Sequence, residues 1–288
     1  MRRWAVIVLL VAAAACGDAA PTTAPGNNPD PGYAGYPGFD IAVYPGDAAL
    51  TAWRFPTSPY HWVGLYLAAP CHRDATWEPQ YNKVTSLGWG TAVVYVGQQD
   101  WSAIPDIIPT SPTSLRAVRT TTFDTSTGPA ALTAVTCSAS LLTSDQGKLE
   151  ASDAVTRASG AGIPNGSAIF LDIEYVTSVS PALLTYMSAW IAGVLSDGRF
   201  RPAIYCAKSN AETLYAAATT AYAAAQHHDS PPFWIASSSG FTIASAPTAV
   251  GFTYATAWQG LFDISQSWGG VSLTIDVDVA NSASPSAP

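Results

Sequence analysis

Short apolar runs bounded by Gly, Pro, Asn and Asp recur along this chain, and stretches with the three- and four-residue spacing of an amphipathic helix stand between them. Strand character falls at 38–44, 62–68, 91–97, 168–174, 202–207, 233–237, 255–259 and 274–279. Helical character falls at 47–54, 80–87, 145–161, 181–196 and 210–227. Thr143-Ser144-Asp145-Gln146 offers a capping box, and Pro181 suits a first helical turn, where its missing N–H is no loss. Helical signal is poor after the sixth and seventh strands, so 240–251 and 260–270 read as irregular loops. Strands and helices in alternation predict an α/β fold, a single (β/α)8 TIM-like barrel whose parallel sheet closes on itself. Its last βα units are irregular, and a long Thr-, Ser- and Pro-rich loop, 98–143, follows the third strand. A doubly wound sheet would need a Gly-rich phosphate loop after its first strand, and Tyr44-Pro45-Gly46-Asp47 is not one.

The two ends depart from this pattern. Met1-Arg2-Arg3 precedes twelve apolar residues, Trp4 to Ala15, and then Cys16. That run is too short to span a bilayer but fits a signal peptide. Ala13-Ala14-Ala15-Cys16 resembles a lipobox, which predicts cleavage after residue 15 and a lipid on Cys16; ordinary signal cleavage near the Ala cluster is the alternative. Arg2-Arg3 is also a short hint of a twin-arginine signal. Residues 16–36 read as a Pro/Gly-rich tether, 37–281 as the barrel and 282–288 as a disordered tail.

Charged residues are only 11% of the chain, against roughly 25% in ordinary soluble domains, and the net charge is −8. No basic stripe exists to grip phosphates, which excludes nucleic acid as a partner. The surface must be Ser-, Thr-, Ala- and Gly-rich, which suits export to the outer face of the cytoplasmic membrane or the cell wall. Cysteine use agrees with an oxidising compartment. Cys71 and Cys137 lie in loop-like sequence and are expected to pair, while Cys206 sits in a buried strand as an inert thiol. The Cys and His spacings make no zinc site, Asp276-x-Asp278 alone is weak for calcium, and no cofactor is expected. The protein is taken as a monomer.

Against that scarcity of charge, three strands carry acids on one face. Side chains alternate along a strand, so Ile169, Leu171 and Ile173 pack on helices while Phe170, Asp172 and Glu174 point into the barrel. The same alternation turns Asp40, Asp276 and Asp278 inward. Clustered acids raise one another's pKa, and a protonated acid beside an ionised one is what glycoside hydrolysis uses. Tyr66, Tyr95, Gln98, Tyr205, Trp234, Trp258 and Gln259 are candidates to hold a sugar at the same rim, the rings by stacking and the amides by hydrogen bonds.

With these residues in view, 35–281 resembles the glycoside-hydrolase-like barrels of domain-of-unknown-function family 1906, relatives of the family-25 muramidases. The resemblance rests on Gly38-Phe39-Asp40, Gln146-Gly147, Ile163-Pro164-Asn165-Gly166 leading into Ile169–Glu174, then Phe233-Trp234-Ile235-Ala236, Ala257-Trp258-Gln259 and Ile275–Asp278, in that order. It implies Glu174 as general acid, with Asp172, Asp40 and Asp276 around the sugar; Asp278 rivals Asp276. Ala42-Val43-Tyr44-Pro45 stands where the muramidases have a Ser-containing stretch, and the long insertion also departs from them. The expectation is a lipid-anchored hydrolase of a cell-envelope polysaccharide such as peptidoglycan. The alternative is a glycan-binding or scaffold lipoprotein on the same barrel.

Overall fold

A computed structural model describes residues 31–100 and 137–288. The leader, Cys16, most of the tether and most of the long loop lie outside these residues. Eight strands close a barrel in sequence order: β1 (Tyr36–Asp40), β2 (Trp62–Leu67), β3 (Gly90–Val96), β4 (Ala168–Ile173), β5 (Arg201–Ala207), β6 (Phe233–Ala236), β7 (Ala255–Trp268) and β8 (Val271–Ala280). Helices α1 (Asp47–Trp53), α2 (Tyr81–Ser86), α3 (Ser144–Gly160), α4 (Pro181–Asp197) and α5 (Lys208–Ala224) fill the first five connections. Local chemistry marks the starts of α3 and α4 and the end of α4. Thr143 accepts the Gln146 N–H at the start of α3, Ser180 accepts the Leu183 N–H before Pro181, and left-handed Gly198 ends α4.

The expected all-parallel barrel is corrected at its last strand. β1 to β7 run parallel, but β8 is antiparallel to both β7 and β1. The stretch 260–270, expected as a loop, is strand and turn. Trp268 pairs with Val271 across Gly269-Gly270, whose φ values of 56° and 81° are those of a primed hairpin turn. A two-residue turn cannot return the chain to a parallel partner, so the direction of β8 follows from it. Register shifts between Gln259, Leu261 and Ile264 break the alternation that would have marked this strand in sequence.

The tail is a second correction, because it is packed. Ser286 donates its N–H to Thr91 O at 2.9 Å and accepts the Ala168 N–H at 2.8 Å, while its Oγ accepts the Val93 N–H at 2.8 Å. Arg201 bonds Ala287 O at 2.8 Å. These contacts cover the N-terminal end of β3–β5. Small, polar residues suggested disorder, but their hydroxyls and backbone groups bond the backbone of β3 and β4.

The barrel interior is aromatic. Trp234 meets Trp62, Phe170 and Tyr205 with ring centroids 5.4, 5.7 and 5.3 Å away. Gly38 makes room for this floor, since a Cβ there would lie 2.1 Å from the Trp62 ring. The Cys71–Cys137 disulfide joins the loop after β2 to the far end of the excursion after β3, as expected, and Cys206 is buried and free. Among the described residues no helix is long and apolar enough to cross a membrane.

Candidate active site

The C-terminal ends of β1 and β4 and the adjoining part of β8 carry the acids. Asp40 ends β1, Asp172 lies one residue before the end of β4, and Glu174 follows that strand directly. Asp276 stands opposite Asp40 in the β1–β8 ladder. Gly64 allows β2 to approach, because a Cβ there would be 2.5 Å from Asp40 Cβ. The Tyr66 hydroxyl donates to Asp40 Oδ1 at 2.6 Å. Gln259 Nε2 donates to Asp40 Oδ2 at 2.7 Å and to Asp276 Oδ2 at 3.1 Å, and Gln259 Oε1 accepts the Tyr205 hydroxyl at 2.5 Å. One amide thus joins two carboxylates and a phenol across β1, β5, β7 and β8. Asp40, Asp172 and Gln259 are buried; Glu174, Asp276, Tyr66 and Tyr205 are half-buried around them.

Every carboxyl in the group is held above its ordinary range. Burial raises Asp40, and the Tyr66 and Gln259 hydrogen bonds pull it back. Burial and then the Glu174 and Asp40 charges push Asp172 well up. Glu174 rises through loss of water and then the Asp40 charge. Asp276 is pushed up to about 8, again by burial first and Asp40 second. Of the four, Glu174 and Asp276 are the two acids that solvent reaches.

Several expected ligand contacts fall elsewhere. Tyr95 is paired in register with Leu171, on the helix side of the sheet. It donates to Asp153 on α3 at 3.0 Å and stacks on Trp190, so it does not line the mouth. Gln98 is also turned away: its Nε2 donates to Glu150 on α3 at 2.7 Å and its Oε1 accepts the Ser138 N–H at 2.8 Å. Trp258 pairs with Ile235 on the outer face, bonds Ser237 O at 2.7 Å and meets Phe241 edge-on. Trp234 points inward but lies too deep, as the floor beneath the acids. Asp278, once a candidate for the rim, is fully buried and accepts the Trp234 indole N–H at 3.1 Å.

Other residues took the expected places. Gln99 is buried at the end of β3; its Nε2 donates to Asp172 O at 2.8 Å and its Oε1 accepts the Glu174 N–H at 2.9 Å. The Asp263 N–H donates to Asp276 Oδ1 at 2.6 Å from a left-handed backbone, φ 52°, inside the irregular part of β7. Tyr175, next to Glu174, is 47% exposed, and Phe262, next to Asp263, is 42% exposed. The sequence signal for Tyr175 was adjacency to the acid that follows β4; Phe262, inside a stretch read as a loop, carried none. Among the described residues no group of three His, Cys, Asp or Glu side chains is disposed to hold a metal ion.

Comparison with known proteins agrees with this architecture. An uncharacterized B. stearothermophilus protein superposes with a TM-score of 0.53 at 16% identity, over 85% of this chain and 96% of that one. The modular autolysin LytC from Streptococcus pneumoniae gives 0.50 at 12% identity, over 85% of this chain and 46% of LytC. A bacterial lysozyme from Streptomyces coelicolor gives 0.48 at 17%, over 86% and 92%. At such identities the likeness is one of fold. No curated protein matches the chain. Residues 51–280, most of the barrel, match one family throughout, and the chain belongs to it: the Rv2525c-like, glycoside hydrolase-like domain family.

Proposed function

We propose that this protein is an exported, lipid-anchored glycoside hydrolase acting on a cell-envelope polysaccharide, with peptidoglycan as the substrate. One observation carries the proposal. Glu174 is a solvent-reachable carboxyl that burial holds above its ordinary range, beside Asp40, a buried carboxyl whose rise the Tyr66 and Gln259 hydrogen bonds offset. Glu174 gives its proton to the glycosidic oxygen as the bond from that oxygen to the sugar's anomeric carbon breaks. Asp40, Asp172 and Asp276 face the positive charge that develops on the ring, and water completes the hydrolysis. Tyr175 and Phe262 offer exposed rings to the sugar faces beside this centre. Support also comes from LytC, which shares the barrel and has been crystallised with a synthetic peptidoglycan ligand. For export and anchoring the support is the leader with Cys16, together with a disulfide that needs an oxidising compartment.

The test is release of reducing ends from purified peptidoglycan by the wild type and by Glu174→Gln, both shown to be folded. Loss of a general acid should cost at least about 100-fold in rate. Equal rates in the two would remove Glu174 from the chemistry. A binding-only role is the second possibility, favoured by the height of the Asp276 pKa, since carboxyls that stay protonated make poor partners for an oxocarbenium ion. Muropeptide binding without turnover at both pH 5 and pH 8 would decide for it. Palmitate labelling of the wild type and of Cys16→Ala tests the anchor, which requires label in the first alone.

A further inference from the structure

Charge at the mouth is unbalanced. Among the described residues, no Lys, Arg or His bonds or ion-pairs with Asp40, Asp172, Glu174, Asp276 or Asp278. The paired basic side chains are engaged elsewhere: Lys83 with Asp47, Lys148 with Asp145, Arg157 with Asp153 and Glu78, and Arg199 with Asp197. What the acids do receive comes from neutral donors, namely Tyr66, Gln259, the Trp234 indole and the Asp263 N–H.

Asp172 lacks even part of that. It is 6% exposed, and its Oδ1 is buried with no hydrogen-bond partner among the described residues. It faces inward, level with Tyr205 on β5. The charged and phenolic groups that it interacts with are Glu174, Asp40, Tyr66 and Tyr205, and none of them is basic. A buried carboxylate oxygen without a donor is an exception that calls for a partner, and the half-buried Glu174 and Tyr205 beside it mark the side from which a ligand would have to reach it.

We propose that this mouth selects a glycan with free amino groups, a glucosamine rather than N-acetylglucosamine polymer segment, whose ammonium seats against Asp172 among the surrounding carboxylates. The inference rests on the glycan function proposed above and narrows its substrate. An N-acetyl group also brings one N–H, but it adds no charge. An ammonium brings three donors and a positive charge that favours ionisation of the carboxyls it meets, against the burial that raises them.

The experiment is calorimetric titration of the whole exported chain with a glucosamine tetramer and with an N-acetylglucosamine tetramer, at about 0.02 M and about 0.5 M salt. Using the whole chain keeps Arg116 and Arg119, which lie outside the described residues, in the measurement. The glucosamine tetramer should bind about tenfold or more tighter at low salt, and that advantage should shrink several-fold at high salt. Asp172→Asn should abolish the advantage. Should this variant not fold, the salt dependence of the wild type decides alone. Equal or tighter binding of the acetylated tetramer overturns the inference and leaves the glycan function standing. If neither tetramer binds and peptidoglycan is neither bound nor cleaved, the inference and the glycan function fall together.

Discussion

The Gln99 amide grips the β4 backbone on both sides of Ile173, donating to Asp172 O and accepting from the Glu174 N–H. Glu174 has left the β-ladder at that point, so this side chain sets where the acid sits. Gln99→Met removes both bonds, and a displacement of about 1 Å can cost about 100-fold in a positioned reaction. The expected result on peptidoglycan is a large fall in kcat with KM little changed; Gln99→Met kinetics matching the wild type would contradict it. Burial of the acids also has a sign in stability. Asp276 is raised from 3.8 to about 8, so the folded protein holds a proton that the unfolded chain releases. Stability from that proton is full below about pH 4 and is lost as pH rises through about 8. Asp40, Asp172, Glu174 and Asp278 shift the same way. Asp47, Asp74 and Asp197 shift oppositely, but they lie near the surface, where such pairs contribute little. Scanning fluorimetry should therefore give a lower Tm at pH 8 than at pH 5, and Asp276→Asn should flatten the difference. A Tm rising over that range would count against a buried, proton-holding cluster.

Among the strands, legibility in sequence followed contrast between the two faces. In 169–174 the acids stand against Ile and Leu, so alternation alone turned Asp172 and Glu174 inward. β3 is buried throughout, its two faces are both largely apolar, and Tyr95 was assigned by its ring instead of by its register with Leu171. Trp234 and Trp258 were chosen for ring type, whereas depth and face decide what a ring can touch. The tail was misjudged because composition says nothing about hydrogen-bond demand. Ser286 is 1% exposed and meets three backbone groups of β3 and β4. Ser286→Val would strand the Val93 N–H, at a cost of about 1–3 kcal/mol in urea unfolding. Wild-type stability in that variant would mean that the tail is dispensable to the barrel.

For the molecule as a whole, the disulfide closes the widest covalent loop. Cys71 and Cys137 are 66 residues apart, and chain-entropy arguments give a bond of that span about 4 kcal/mol over the open chain. Replacing both by Ser should lower the unfolding free energy by up to about that amount, measured by denaturant titration against the unreduced wild type. An unchanged midpoint would mean that the Gln98–Ser138 and Asp100–Ser180 hydrogen bonds suffice to close the base of the excursion.

The chain enters β1 at the end of the barrel where Tyr36 pairs with Ala280, and the acids sit at the other end, where Asp40 pairs with Asp276. Whatever precedes Tyr36 therefore leaves from the blunt end. If the chain is held through its leader, as proposed, the fastening joins the barrel opposite the acids and leaves the mouth clear of it for an incoming glycan strand.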